Sequence, residues 1–124
     1  MRRPGNLMTV QHRLDHTSIV RPDGPLHASL GRQLRRRVHT LLCSGTQRLV
    51  LDLSRVTGID AAGIGELIRA YNLTIEANSA LRVTQVPARI RDLLVRVGLF
   101  DLLSDDRESL SEEGDALPAT VRKS

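Results

Sequence analysis

From Met8 to Val97 the apolar residues of this chain switch repeatedly between the two-residue period of a strand and the three-to-four-residue period of a helix. The order of those switches admits few folds. Met8, Val10, His12 and Leu14 alternate with Thr9, Gln11 and Arg13, the pattern of a strand with one wet face. Residues 18–21 read as a short second strand, and Pro22-Asp23-Gly24-Pro25 predicts that it feeds a sharp turn. Leu30, Leu34, Val38, Leu41 and Leu42 predict a first helix, with Ser29 placed to cap its start and Gly45 to end it. Leu49-Val50-Leu51 is short, apolar and β-branched at its centre, which predicts a parallel strand in the middle of a sheet. A second helix follows Asp60 on Ile64, Leu67, Ile68, Tyr71 and Ile75, and Asn78 tolerates the left-handed conformation that ends it. Residues 81–84 return to strand character. Pro87 then sits in the first turn of a third helix through Ile90, Leu93, Leu94 and Val97 to Gly98, before a closing apolar patch at Leu99, Phe100, Leu102 and Leu103. The order β-β-α-β-α-β-α implies a small α/β fold. Its sheet is expected to be mostly parallel, with four to five strands, one hairpin-related edge and three to four helices.

Length and charge divide the chain. At 124 residues it holds one core, and 40% hydrophobic with 26% charged residues is a globular composition. Residues 1–100 carry 15 arginines against 7 acids, whereas residues 101–124 carry 3 basic residues against 7 acids. Three regions are therefore expected: a flexible lead-in at 1–6, a folded domain at 7–103 and an acidic, mobile tail at 104–124. Aromatics amount to 2%, Tyr71 and Phe100 with no tryptophan, which argues against base-stacking platforms and aromatic cages. No apolar run approaches the roughly 20 residues of a membrane helix, and the basic start is followed by polar residues, so a cytoplasmic protein without membrane insertion is expected. A single cysteine, Cys43, offers neither an internal disulfide nor a thiolate cluster, and is expected as a half-buried hydrophobe in the first helix.

The stretch from Leu51 to Gly65 carries the functional signal. It runs from the end of a buried strand through a short loop into a helix N-terminus, the edge of a parallel sheet where ligands and partners gather. Asp60 suits an N-cap accepting from the N–H of Ala62 or Gly63. Gly63 and Gly65 each cost about 1 kcal/mol relative to alanine in a helix. Either a tight strand-helix crossing or the close approach of a partner accounts for them. Catalytic constellations are missing: there is no phosphate-cradling glycine loop ending in Lys-Ser, no Gly-x-Ser-x-Gly elbow and no Cys-His pair in the sequence pattern. Asp52 and Asp60 read as a strand-end acceptor and a helix cap before they read as an acid/base pair. His12, His16, His27 and His39 lack a convergent metal spacing, so no metal or cofactor is expected. Arg32, Arg35, Arg36 and Arg37, with His39, lie opposite the apolar stripe of the first helix, which reads as a solvated face; specific nucleic-acid binding is the lesser alternative.

Leu51-Asp52-Leu53-Ser54-Arg55-Val56-Thr57-Gly58-Ile59-Asp60-Ala61-Ala62-Gly63-Ile64-Gly65, with the strand at 81–84 and Val97-Gly98-Leu99-Phe100, resembles the STAS domain of bacterial anti-sigma factor antagonists over residues 7 to 103. The resemblance implies a protein-binding site at the start of the second helix. In that family the site reads Asp-Ser-Ser-Gly or Asp-Ser-Thr-Gly, and an anti-sigma factor that doubles as a serine kinase phosphorylates the second hydroxyl. Here Asp60-Ala61-Ala62-Gly63 puts Ala62 at that position, and a methyl group takes no phosphoryl group. His27 stands where the family often has an acidic residue. The resemblance thus implies a non-enzymatic antagonist whose partner surface comprises Asp23, Gly24, Ser54, Thr57, Asp60, Ala61, Ala62, Gly63 and Ile64, without phosphorylation at Ala62. The alternative is a STAS-like scaffold subunit of a larger regulatory or transport assembly, or a homodimer using the same surface.

Overall fold

A computed structural model describes residues 8–103; the expected lead-in at 1–6 and acidic tail at 104–124 lie outside the described residues. Strand β1 (Met8–His12) pairs antiparallel with β2 (Thr17–Pro22), Val10 opposite Val20. Parallel pairing then joins β2 to β4 (Arg48–Asp52) and β4 to β6 (Ala80–Thr84), in the spatial order β1-β2-β4-β6. The strand around Leu49-Val50-Leu51 is therefore internal, as its unbroken apolar run predicts. Val20, Leu51 and Val83 stand in one register row and Leu49 and Leu81 in the next, all buried. Ser18 shares the second row and is also buried; its Oγ hydrogen-bonds Thr46 Oγ1 at 2.9 Å and His12 Nδ1 at 3.2 Å, so the hydroxyl is not stranded in the core. Helices α1 (Ala28–Cys43), α2 (Ala61–Glu76), α3 (Ala88–Arg96) and α4 (Phe100–Leu103) complete the layer, with Leu34, Val38, Leu67, Ile90, Leu94 and Leu103 fully buried.

Several expectations fail for physical reasons. The first strand stops at His12, because the chain turns through His16 in the left-handed region, and Leu14 stands wholly exposed in that turn. Pro22-Asp23-Gly24-Pro25 is no tight turn but a corner between sheets: after Asp23 the backbone resumes as β3 (Gly24–Leu26). That short strand pairs in parallel with β5 (Val56–Ile59) to form a separate two-stranded sheet. Helix α1 begins at Ala28, directly after β3, so His27 is its N-cap and Ser29, inside the first turn, caps nothing. Pro87 likewise is the N-cap of α3 and lies one position before the helix. Val97 follows that helix and is exposed. Cys43 is exposed at the end of α1, with Sγ 4.0 Å from His39 Nε2, so the chain does hold a Cys–His neighbour pair.

The largest correction concerns α2. Its buried stripe is Gly63, Glu66, Leu67, Ala70 and Thr74, while Ile68 and Ile75 are exposed. Close helix packing causes this phase. A Cβ on Gly31 of α1 would lie 3.0 Å from Cβ and Cγ of Glu66 and 3.6 Å from Cα of Gly63, so a glycine on α1 makes room for the Glu66 side chain where the two helices meet. Glu66 crosses that contact with its charge matched: Arg35 Nε donates to Oε1 at 2.6 Å, and Arg69 Nη1 lies 3.5 Å from Oε2. Arg35 thus belongs to the helix-helix seam and not to the solvated arginine face.

Candidate functional site

The surface at the carboxyl end of β4 is built by three local devices. Asp52 ends the strand nearly buried; its Oδ1 accepts from the Ser54 N–H at 2.9 Å and its Oδ2 from Arg21 Nε at 3.1 Å. Burial pushes the Asp52 carboxyl up, but hydrogen bonds from Ser54 and the Arg21 guanidinium outweigh it and hold the group below its ordinary value. Asp52 is therefore a fixed anion that pins the loop. Its two oxygens are engaged, which leaves it unsuited to shuttling a proton with Asp60.

The second device is the β3–β5 pairing. Gly24, at φ +121°, takes a backbone conformation that side chains disfavour, and its N–H donates to the Arg55 carbonyl at 3.1 Å. A register shift follows between Gly24 and Pro25, and Leu26 pairs with Ile59. Arg55 also reaches to within 3.9 Å of Asp23, a pair exposed on both sides and hence of small energetic weight. In this way the Asp23–Gly24 corner is laid beside the loop that follows β4.

The third device is the entry to α2. Asp60 is its N-cap in extended conformation, and Oδ1 accepts from the Gly63 N–H at 2.9 Å, one of the two donors expected from sequence. A Cβ on Gly63 would fall 1.8 Å from the Leu26 carbonyl oxygen and 3.1 Å from Ile59 Cγ1. The crossing of helix and strand, not a partner, therefore dictates Gly63. Gly65 differs: a Cβ there would meet only Arg69 Nη1 at 3.9 Å. No contact inside the described residues requires a glycine at that position.

Of the residues singled out by sequence, Asp23, Ser54, Thr57, Asp60, Ala61 and Ala62 are exposed, and Gly24 and Ile64 are half-buried. The paired strands and the Leu26–Gly63 contact bring them to one side of the molecule. Gly63 lies in the same segment but is buried and presents no surface. Sequence reasoning passes over Arg55, exposed between Ser54 and Thr57; its position between two candidate residues is the signal that could have found it. Among the described residues no three histidine, cysteine, aspartate or glutamate side chains converge as metal ligands, and no helix is long and apolar enough to cross a membrane. An open cleft of about 630 Å³ lies at the opposite ends of β4 and β6, lined by Thr46, Arg48, Asn78 and Ser79 among others, remote from Asp60 along the strands.

Comparison with known proteins agrees with this geometry. A family model described as STAS domain matches residues 8–113. The unphosphorylated form of SpoIIAA, described as an anti-sigma factor antagonist, superposes with a TM-score of 0.68 at 14% identity, covering 89% of this chain and 98% of that one. A Thermotoga maritima protein assigned as a candidate anti-sigma factor antagonist gives a TM-score of 0.72 at 17% identity, covering 88% and 95%. A sulfate transporter family protein from Wolinella succinogenes gives 0.63 at 22% identity, covering 78% of each chain. No curated protein matches the chain. These likenesses establish the fold, a mostly parallel sheet with one antiparallel pair and four helices.

Proposed function

The chain belongs to the STAS domain family, and from that membership we propose that it is a non-catalytic anti-sigma factor antagonist. Its partner is an anti-sigma factor with serine kinase activity. The partner surface runs from Asp23 and Gly24 across Ser54 and Thr57 to Asp60, Ala61, Ala62 and Ile64, and by occupying the anti-sigma factor the domain frees a sigma factor. The observation that carries the reading is the exposed Ala61-Ala62 pair in the first turn of α2, directly after the Asp60 cap. Two methyl groups, with half-buried Ile64 beside them, form an apolar step that carries no charge of its own.

Ala62 also decides how such binding is regulated. SpoIIAA occurs in phosphorylated and unphosphorylated forms. A phosphate at the equivalent turn would add a charge of about −1.5 to −2 next to Asp60, enough to repel a partner whose surface fits the uncharged state. Ala62 has no hydroxyl, so that switch is absent and binding is continuous; control passes to the amount of protein. The test is Ala62→Ser with the partner kinase and ATP. A phosphoryl group gained on Ser at position 62, read as an added mass on that peptide, supports the site assignment, and no gain overturns it.

A second reading, a STAS scaffold subunit of a larger regulatory or transport assembly, draws on the likeness to the Wolinella succinogenes protein and to the murine anion transporter Slc26a9. The chain covers 18% of the latter. This reading predicts that the assembly is bound with equal strength whatever stands at position 62. The cytoplasm is the compartment either reading requires.

A further inference from the structure

Helix α2 carries a second stripe, on the side away from its buried one. Ala61, Gly65, Ile68, Asn72 and Ile75 follow one another at steps of four, three, four and three residues, the heptad spacing of a helix seam. None of the five is charged and none is buried; Ile68 is 39% and Ile75 54% exposed. The buried residues Leu67, Ala70 and Thr74 point the other way, into the core. Single apolar residues on a surface need no explanation. These two isoleucines, however, stand two turns apart on one line, preceded by a glycine that no contact inside the described residues requires.

The charges beside that stripe identify what covers it. Arg69 and Glu76 each follow an isoleucine by one position, so they line one edge of the seam, two turns apart and opposite in sign. Both are exposed; Glu76 has no ion pair among the described residues, and Arg69 shares Glu66, 3.5 Å away, with Arg35. When two copies of the helix pack antiparallel about a two-fold axis at Asn72, the same edge of each lies beside the other. Residues equally far before and after Asn72 are then level. Arg69 comes within one residue's rise, about 1.5 Å, of Glu76 of the second copy, and Ile68 comes equally close to level with Ile75 of the second copy. Asn72 meets its own copy, and each carboxamide N–H can donate to the carbonyl oxygen of the other. Gly65 lies level with Ser79 of the second copy, beside the turn that Asn78 makes at φ +56°, and its missing side chain lets that turn approach. A parallel pair offers none of this, because its two-fold sets Arg69 and Glu76 against the apolar Ile64–Tyr71 edge.

We propose that the outer face of α2 is a self-association surface, on which a second copy of this chain packs its own α2 antiparallel. Contact at the isoleucines supplies the attraction, the Arg69–Glu76 pairs set the direction and Asn72 fixes the register. A seam of this length falls in the class below about 1,200 Å² of buried surface, so the dimer is weak and concentration-dependent. It shares only Ala61 with the surface proposed for the anti-sigma factor and does not depend on that reading.

Sedimentation velocity of the full chain over about 1 μM to 1 mM tests the proposal, with a reductant present so that exposed Cys43 forms no disulfide. The mass should rise from 13.7 kDa toward twice that value. Ile68→Asp together with Ile75→Asp, both at exposed positions, should leave a monomer throughout. Arg69→Glu alone and Glu76→Arg alone each set like charges level at two places in the dimer and should raise Kd about tenfold or more. Mixed in equal amounts, these two single variants make both pairs opposite again and should associate as tightly as wild type. A chain that has lost its fold cannot regain affinity in this way, so the mixture reads the contact itself. A protein that stays monomeric over the whole range, a dimer indifferent to the isoleucine substitutions, or a mixture no tighter than its two components overturns the proposal.

Discussion

Two glycines two residues apart make opposite predictions. At Gly63 a Cβ would stand 1.8 Å from the Leu26 carbonyl oxygen, and contacts below 3.0 Å do not persist, so Gly63→Ala must move the entry of α2 away from β3 by about 1.2 Å. Both parties are backbone and neither can rotate away. Overpacking usually costs about 1–3 kcal/mol, and a backbone clash belongs at the upper end. The better helix propensity of alanine returns about 1 kcal/mol, for a net loss of roughly 2 kcal/mol or more. For a domain of this size that lowers the melting temperature by roughly 8 °C. Gly65→Ala meets only Arg69 Nη1 at 3.9 Å and should gain about 0.5–1 kcal/mol from propensity and reduced unfolded-state entropy. Urea unfolding followed by circular dichroism measures both. Equal effects at the two positions, or a Gly63→Ala loss below about 0.5 kcal/mol, would refute the claim that the strand-helix crossing fixes Gly63.

The charged groups of the fold yield two more predictions. Asp52 has its folded pKa held below the ordinary value, so its contribution is complete above about pH 4 and disappears as pH falls through the folded value. Asp52→Asn should cost about 1 kcal/mol at pH 7, and the gap from wild type should close toward pH 2; a gap constant with pH contradicts the assignment. Glu66 is nearly buried between Arg35 and Arg69. Its replacement by Gln keeps the packing against Gly31 and should cost about 1 kcal/mol, whereas Glu66→Ala also opens the seam and should cost about 2 kcal/mol. Denaturant midpoints of the two variants check the order, and a reversed order refutes it.

How much of this was legible follows from what sequence patterns encode. Periodicity locates β1, β2, β4 and β6 and the three longer helices, because each buries one apolar stripe. It misses β3 and β5: three or four residues with a proline or glycine each, they carry too little pattern and form only because Gly24 bends the chain to meet Arg55. On α2 it finds only part of the inward face: Leu67 is buried and Ile64 and Tyr71 pack against the core. Hydrophobicity points also to Ile68 and Ile75, which stand exposed, and it misses Gly63, fixed by the Leu26 carbonyl, and Glu66, which lies against Gly31 of α1 with its charge matched by Arg35. Within the candidate site, single local devices were readable and their adjacency was not. The Asp60 cap depends only on local spacing, whereas the adjacency of Asp23 to Arg55 depends on a strand pairing that no local pattern announces.

On the proposed function, a regulatory protein sits on the start of α2. Capture from lysate of the source organism with tagged wild type and with Ala62→Asp tests it most directly, because the aspartate supplies a partial mimic of the phosphate charge at an exposed position that packs against nothing essential. Wild type is expected to retain an anti-sigma factor with a kinase domain, and the Asp variant, folded to the same melting temperature, to lose it. Retention of the same proteins by both, or of transport subunits or nucleic acid alone, would rule out an antagonist surface at the start of α2.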